Sequence, residues 1–343
     1  MTRLRIVHAV RSDGFAGVER YVSLLARTQA ADGHEVRVVG GDPAQMAHEL
    51  LASKIPQAAA ATVVETARAL DAWRAADILH LHMTAAEIAA VLAVRTWRVP
   101  AVCTRHFAQP RGTTWAGRTV GRWAVHRRID AQIAVSQAVA ETIDGPSTVV
   151  WPGVDAPAVV RSAAERERIV LIAQRLEPEK DTAVGLRAFA VSGLAGEGWR
   201  LRVAGVGSQR ACLEAEAARL SIAHAIDFLG RRSDMAELMA SASMLLAPCP
   251  HEHFGLSVVE AMGAGLPVVA VGAVGHLESV GLAEGAALFA AGGHEQAAAL
   301  LAGLGRDADR RDIYAANLRE IQRTHFTPRQ QADGVEAVYR SVL

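Results

Sequence analysis

Two carboxylates, Glu252 and Glu260, stand with seven residues between them inside His251–Ala270, HEHFGLSVVEAMGAGLPVVA. Phe254, Gly255 and Leu256 lie between them; small, helix-compatible residues follow, then Leu266-Pro267 and the apolar run Val268–Val271. The pattern reads as a loop, a helix over about 255–264, and a buried strand. The first turn of such a helix presents backbone N–H groups that have no partner within it, which makes a ready anion site, phosphate above all. Glu252 falls in the loop and Glu260 about a turn and a half into the helix, so the two can reach opposite ends of one bound molecule. A second candidate is Gln174–Asp181, QRLEPEKD, just after a strand ending at Ala173. Arg175 and Lys180 there can clamp a diphosphate, each charge-assisted bond contributing about 1.5–3 kcal/mol. By spacing alone, an exposed loop acid and a solvated helix acid account for the glutamates equally well.

Three histidines, His80, His82 and His106, sit at or just after strand ends in the first half. Such histidines are more often structural hydrogen-bonding groups than catalysts. His80 and His82 share a strand face, but no third ligand at suitable spacing accompanies them, so no metal is expected. The loop Arg11–Gly17 brings glycines to the end of the first strand, where they allow close backbone approach to a ligand. It is not G-x-G-x-x-G, so a dinucleotide fingerprint is unsupported. Arg95–Arg128 holds eight arginines, no acid, and Trp97, Trp115 and Trp123. Such a segment suits contact with an anionic membrane surface or a phosphorylated acceptor, or simply a solvated face, and its arginines do not gather on one helical face.

These groups need scaffolding. The 343 residues suggest about two domains, each with its own core. With 51% hydrophobic and 21% charged residues the chain is globular. Lys+Arg and Asp+Glu balance at 36 each, which removes any whole-protein argument for nucleic-acid binding. Three scattered cysteines without a CxxC pair suggest a reducing compartment and no structural zinc. The N-terminus lacks signal-sequence character and no apolar stretch reaches 18 residues, so the expected location is cytoplasmic, with peripheral membrane contact through Arg95–Arg128 left open.

Short apolar runs alternate with helical patterns along the whole chain. Expected strands in the first half are Leu4–Val10, Val36–Gly40, Ile78–His82, Ala101–Thr104, Gln132–Val135 and Thr148–Trp151, with helices Val18–Ala31, Ala85–Val94 and Ser136–Ile143. The second half repeats the logic, with strands Ile169–Ala173, Leu201–Ala204, Ile226–Leu229, Met244–Ala247, Val268–Val271 and Ala287–Phe289. Its helices are Thr182–Val191, Ser208–Leu220, Asp234–Ala242, Gly255–Ala264 and His294–Gly303, and a last amphipathic helix spans Pro328–Val342. Alternation of this kind implies βαβ units and two doubly wound parallel sheets, which bind ligands at the carboxyl ends of their strands. The expected division is 1–158, 159–326 and a C-terminal helix 327–343.

Together these residues resemble the retaining glycosyltransferases of family 4, which have the GT-B fold of two Rossmann-like domains facing across an interdomain cleft. The likeness covers nearly the whole chain. Glu252 and Glu260 match the family's E-x7-E signature with its typical continuation, and Arg175-Leu176 through Lys180 match its R-L-x-x-x-K loop. Leu229-Gly230-Arg231 through Asp234, Ala247-Pro248, the Gly14-to-Glu19 loop, Asp77–His80, Thr104-Arg105-His106 and Ala134-Val135-Ser136 also fit, and the C-terminal helix resembles the family's last helix, which crosses back to the N-terminal domain. Two departures stand out: Trp151-Pro152-Gly153-Val154-Asp155 replaces an Asn-Gly-Val-Asp hinge, and His276-Leu277 replaces the usual small residue and proline before Glu278.

The resemblance implies a metal-independent enzyme, without a cofactor, that moves a sugar from a nucleotide-diphosphate donor to an acceptor hydroxyl with retention. It implies that Arg175 and Lys180 hold the diphosphate, with the backbone amides of Phe254, Gly255 and Leu256 and the Gly17 loop. Glu260 would accept from the ribose, Glu252 from the donor sugar, Arg231 would lie near the base, and His106 would stand beside the sugar. Competing readings are a nucleotide-sugar epimerase on the same architecture and a non-catalytic nucleotide-sugar-binding module. The base, sugar, acceptor and oligomeric state have no readable code in the sequence.

Overall fold

The computed structural model describes residues 3–108, 111, 119 and 126–343. These form two compact units, Met1–Gly153 with Pro328–Leu343, and Val154–Thr327.

The first unit begins with β1 (Arg5–Val10), α1 (Gly17–Ala31), β2 (Glu35–Val39), α2 (Pro43–Leu51), β3 (Gln57–Ala58) and α3 (Val63–Ala72). It continues through β4 (Ile78–His82), α4 (Met83–Leu92), β5 (Ala101–Arg105), β6 (Ala131–Ala134), α5 (Gln137–Ala140) and β7 (Thr148–Val149). The seven strands pair in the order β3-β2-β1-β4-β5-β6-β7, all parallel. The sheet therefore changes its direction of growth between β1 and β4. Strand β4, ILHLH, is buried at every position, as expected of a parallel strand covered on both faces. Its two histidines are thus forced into the interior. No loop separates β4 from α4: the turn is made by Met83 at φ +73, a left-handed conformation that non-glycine residues rarely adopt.

The second unit runs β8 (Ile169–Ala173), α6 (Thr182–Ser192), β9 (Arg200–Ala204), α7 (Arg210–Arg219), β10 (Ile226–Gly230), α8 (Met235–Ser241) and β11 (Met244–Ala247). Then come α9 (Leu256–Gly263), β12 (Val268–Val271), α10 (Gly275–Glu278), β13 (Leu288–Phe289), α11 (His294–Arg306) and α12 (Ala308–His325). Its six strands are also parallel, in the order β10-β9-β8-β11-β12-β13, with the reversal between β8 and β11. Strand β12 is wholly buried. The last helix, α13 (Pro328–Arg340), returns to the first unit and lies along α1.

Every expected strand is present, but five elements were not legible. The stretch after Gly40 holds α2, the two-residue edge strand β3 and α3; α10 follows β12, and α12 precedes the final helix. The expected helix Ser136–Ile143 contracts to the single turn α5. The basic segment also reads differently once folded. Arg105, Arg111 and Arg128 are buried, and none is available to an external surface. Arg111 pairs with Glu87 at 2.6 Å and with Asp144 at 2.9 Å, and Arg128 donates to the carbonyls of Ala90, Thr96 and Val99. Trp115, Arg118, Arg122 and Trp123 lie outside the described residues. Among the described residues no helix is long and apolar enough to cross a membrane.

The Glu87 side chain has no exposure and that of Arg111 is 3% exposed. Removing the cation strands a buried carboxylate. Arg111→Met is expected to cost about 3–5 kcal/mol of stability, and the double variant Glu87→Leu/Arg111→Met to recover most of it. Denaturant midpoints for the four proteins of that cycle measure both numbers.

Candidate functional site

In the second unit the loops that leave β8, β9, β11 and β12 converge at the carboxyl end of the sheet. The loop after β8 carries Arg175 and Lys180. It is fastened to the loop after β9 by backbone bonds, Leu176 N–H to the Val206 carbonyl and Gln209 N–H to the Leu176 carbonyl, both 2.9 Å. Two glycines make this approach feasible. A Cβ at Gly205 would lie 1.8 Å from the Gln174 carbonyl oxygen, and one at Gly207 would lie 2.3 Å from that of Leu176. Lys180 is followed by Asp181 at φ +51, from which α6 departs.

The loop after β11 brings Glu252 to the same place. Its carboxylate accepts from Lys180 Nζ at 2.6 Å, an ion pair whose side chains are 26% and 15% exposed respectively. Burial alone raises the Glu252 carboxyl, but the charge and hydrogen bond of Lys180 outweigh burial and hold it below the ordinary carboxylate range. Gly255, at φ +89, turns the chain into α9, and Phe254 is buried with its ring edge-on to Phe326. Glu260 lies on α9, half-buried.

The loop after β12 closes the site from a third side. Gly275 N–H donates to the Glu252 carbonyl at 3.0 Å, and a Cβ at Gly275 would lie 2.4 Å from the Phe254 Cα. Val274 before it adopts φ +48, a strained backbone for a β-branched residue. His276, unremarked as a site residue in the sequence, is buried, and its ring is where a Cβ on Gly255 would meet it, 3.3 Å away. Its Nδ1–H donates to the Val271 carbonyl at 3.1 Å. The only sequence signal for it was the departure from the expected small residue at that point.

Not every expected group gathers here. Arg175 shares the loop with Lys180, but its side chain is 65% exposed and pairs with Glu179 at 2.8 Å. Arg231 is exposed just past β10, the edge strand, two strands from β8. Gly17 and His106 belong to the other unit. Gly17 is the first residue of α1, behind a turn in which Glu19 accepts from Ala16 N–H at 2.8 Å.

His106 is one end of a cluster at the switch point of the first sheet. His8 on β1 lies in register with His80 on β4, so strand β1 brings a third histidine to the two read from the sequence. The ring nitrogens of His8, His80 and His82 can be chosen within 4.8 Å of one another, a spacing compatible with a metal and not foreseen. Each of these nitrogens is instead engaged. His8 meets His82 at 3.2 Å and Gln29 at 2.7 Å, His82 meets His106 at 3.2 Å, and His80 meets Tyr339 and Thr104, each at 2.6 Å. His8, His80 and His82 are fully buried and His106 half-buried. Burial pushes His8 down to about 4 and, with a lesser contribution from the Arg105 charge, His106 to about 3. His80 and His82 are likewise pushed well below the ordinary range, by burial first and then by their neighbours.

The sign of the resulting pH dependence follows. The folded values lie below the unfolded value of about 6.5, so the neutral cluster stabilises fully above pH 6.5. That contribution is lost as pH falls from 6.5 through 4. Between pH 7.5 and 5, His8 alone should remove about 2 kcal/mol. Thermal unfolding of the first unit, followed across this range, should show a falling Tm, and a flat profile would contradict neutral burial.

Two families match the chain: that described as Glycosyltransferase Family 4 over residues 15–156, and that described as Glycosyl transferases group 1 over residues 159–321. The D-inositol 3-phosphate glycosyltransferase of Stackebrandtia nassauensis is 31% identical over 307 residues, 78% of this chain and 68% of that protein. The lipopolysaccharide core biosynthesis mannosyltransferase LpsB of Rhizobium meliloti is 28% identical over 256 residues, 69% of this chain and 71% of that protein. In structure the chain is similar to Anabaena HepE, solved with UDP and glucose, at TM-score 0.81 and 20% identity, covering 99% of this chain and 100% of that one. That likeness bears on the fold alone.

Proposed function

The chain belongs to glycosyltransferase family 4, with the GT-B fold, and we propose that this glycosyltransferase moves a hexose from a nucleoside diphosphate to an acceptor hydroxyl with retention and without a metal. The observation that carries this reading is the Lys180–Glu252 pair, set beside the first turn of α9 at the reversal between β8 and β11. A cation, a helix N-terminus and a carboxylate adjoin there. A nucleoside diphosphate sugar offers each of them a partner: two phosphates for the cation and the amides, and hydroxyls for the carboxylate.

In this reading Lys180 and Arg175 hold the diphosphate with the amides of Phe254, Gly255 and Leu256, and the Gly17 loop assists. Glu260 accepts from the ribose, Glu252 from hydroxyls of the sugar, and Arg231 lies towards the base. His106 stands beside the sugar. The acceptor oxygen bonds to the anomeric carbon on the face that the phosphate leaves. As that carbon–oxygen bond breaks, the departing phosphate oxygen takes the acceptor's proton. Arg175 and Lys180 stabilise the charge that develops on it. The relatives named for mannosyl and inositol-phosphate chemistry, and the neighbour solved with UDP and glucose, support a nucleotide-sugar donor.

The test is product formation with UDP-, GDP-, ADP- and dTDP-sugars, preceded by a thermal-shift panel of the same donors, since binding to the folded state raises apparent stability. Arg175→Ala should lower kcat/KM at least about a hundredfold. Undiminished activity in that variant sinks the clamp. Interconversion of the donor sugar without acceptor would instead indicate an epimerase.

A further inference from the structure

Each ring of the first unit's cluster is held neutral, so each histidine carries one N–H and one lone pair. With that single rule the hydrogen bonds can be directed one after another. Gln29, on α1 and 2% exposed, presents its amide oxygen to His8 Nε2 at 2.7 Å and its amide nitrogen to the Tyr339 hydroxyl at 3.3 Å. An amide oxygen only accepts, so His8 carries its proton on Nε2 and a lone pair on Nδ1. His8 Nδ1 then accepts from His82 Nε2–H at 3.2 Å. His82 Nδ1 in turn accepts from His106 Nε2–H at 3.2 Å. His106 is left with an unprotonated Nδ1 at the half-buried end of the chain.

The second branch obeys the same rule. Gln29 Nε2–H donates to the Tyr339 oxygen, whose hydroxyl therefore donates to His80 Nδ1 at 2.6 Å, and His80 Nε2–H donates to Thr104 Oγ1 at 2.6 Å. Turning the Gln29 amide over would reverse every bond in both branches and leave a proton on His106 Nδ1. One side chain, far from His106 in sequence, thus decides the tautomer of both branches.

We propose that Gln29 is a positioning residue that fixes His106 as the Nε2–H tautomer through His8 and His82, so that Nδ1 offers a lone pair to a hydroxyl. The value of that lone pair for transfer rests on the reading of His106 as the group beside the sugar; the tautomer itself does not. A sugar presents both donors and acceptors through its hydroxyls. A ring nitrogen with a fixed role therefore selects how one hydroxyl must turn, which is an orienting device. A metal in place of the shared protons is disfavoured by His80, both of whose nitrogens are already committed to Tyr339 and Thr104.

The experiment is nitrogen-15 NMR of histidine-labelled protein at neutral pH, in which protonated and unprotonated ring nitrogens separate. The unliganded wild type should show His8, His82 and His106 protonated at Nε2 only. Gln29→Leu removes the acceptor, and the chain should reverse, moving the His106 proton to Nδ1. Gln29→Glu keeps an acceptor for His8 in either protonation state. It should leave His106 protonated at Nε2 only, a signature that loss of packing would not produce. A wild-type His106 protonated at Nδ1, a Gln29→Leu protein whose His106 tautomer does not change, or one equivalent of zinc retained by His8 and His82 after dialysis would each overturn the proposal. With UDP-glucose or GDP-mannose, whichever supports turnover, Gln29→Leu should lose about tenfold in kcat and Gln29→Glu should restore it. A tautomer that switches with kcat unchanged supports the inference and counts against the role given to His106.

Discussion

A parallel sheet that grows outward from its first strand in both directions must send its loops apart where the growth reverses, and the crevice between them is covered by no crossover. In the second unit that place lies between β8 and β11. The loops leaving those two strands are tied together by one ion pair, Lys180 to Glu252. The remaining contacts in the site follow from holding those loops close. Gly205 and Gly207 let the loop after β9 press its backbone on the Arg175 loop, and Gly275 lets the loop after β12 press on Phe254. Without a partner, a cation and a carboxylate this enclosed would each bear a desolvation penalty. Paired, they wait as a preorganised couple that a bound anion can share.

The first unit has its reversal between β1 and β4, yet fills it differently. Its strands carry histidines into a space where β4 is buried at every position. Ionised side chains there would need counter-charges, and the buried carboxylate of Glu87 already serves Arg111. Neutral imidazoles meet the constraint by bonding to one another and to Gln29, Thr104 and Tyr339. Because Tyr339 lies on α13, the same network fastens the end of the chain to the first sheet. A second fastening joins Gln331 to the Gly153 amide at 2.8 Å.

The alternation of apolar runs and helical patterns made the two parallel sheets legible, because strands buried on both faces leave continuous hydrophobic stretches that loops do not imitate. Strand β3 was hidden for the opposite reason: two half-buried residues, Gln57 and Ala58, have no hydrophobic pattern to show. Lys180, Glu252 and Gly255 were legible because their spacing reflects local loop and helix geometry. His8, Gln29 and Tyr339 were not. His8 is one polar residue inside an apolar strand, and Gln29 reads as an ordinary helix surface position. Tyr339 meets Gln29 across 310 residues of sequence. Only the pairing of β1 with β4 and the return of α13 bring these groups together; the return is implied by the resemblance, but the contacts it makes leave no local trace. The arginines of Arg95–Arg128 show the converse: composition reports charge, while burial and pairing decide what Arg105, Arg111 and Arg128 do.

On the function proposed above, the two units meet two different recognition problems with the same topology. A diphosphate is recognised by charge, and charge is insensitive to orientation, so a paired lysine and an exposed arginine beside a helix N-terminus suffice. A sugar is uncharged, and what distinguishes one of its arrangements from another is which oxygen donates and which accepts. A site for it gains nothing from a cation and much from groups whose donor and acceptor roles cannot exchange. Neutral histidines in series have that property only if something outside the series breaks the symmetry between their two nitrogens. An amide does so, because its oxygen and nitrogen cannot trade roles without a half-turn of the side chain, and at Gln29 such a turn must be made inside a packed interior. The ordering of the histidine chain therefore belongs to the core of the first unit as much as to its surface.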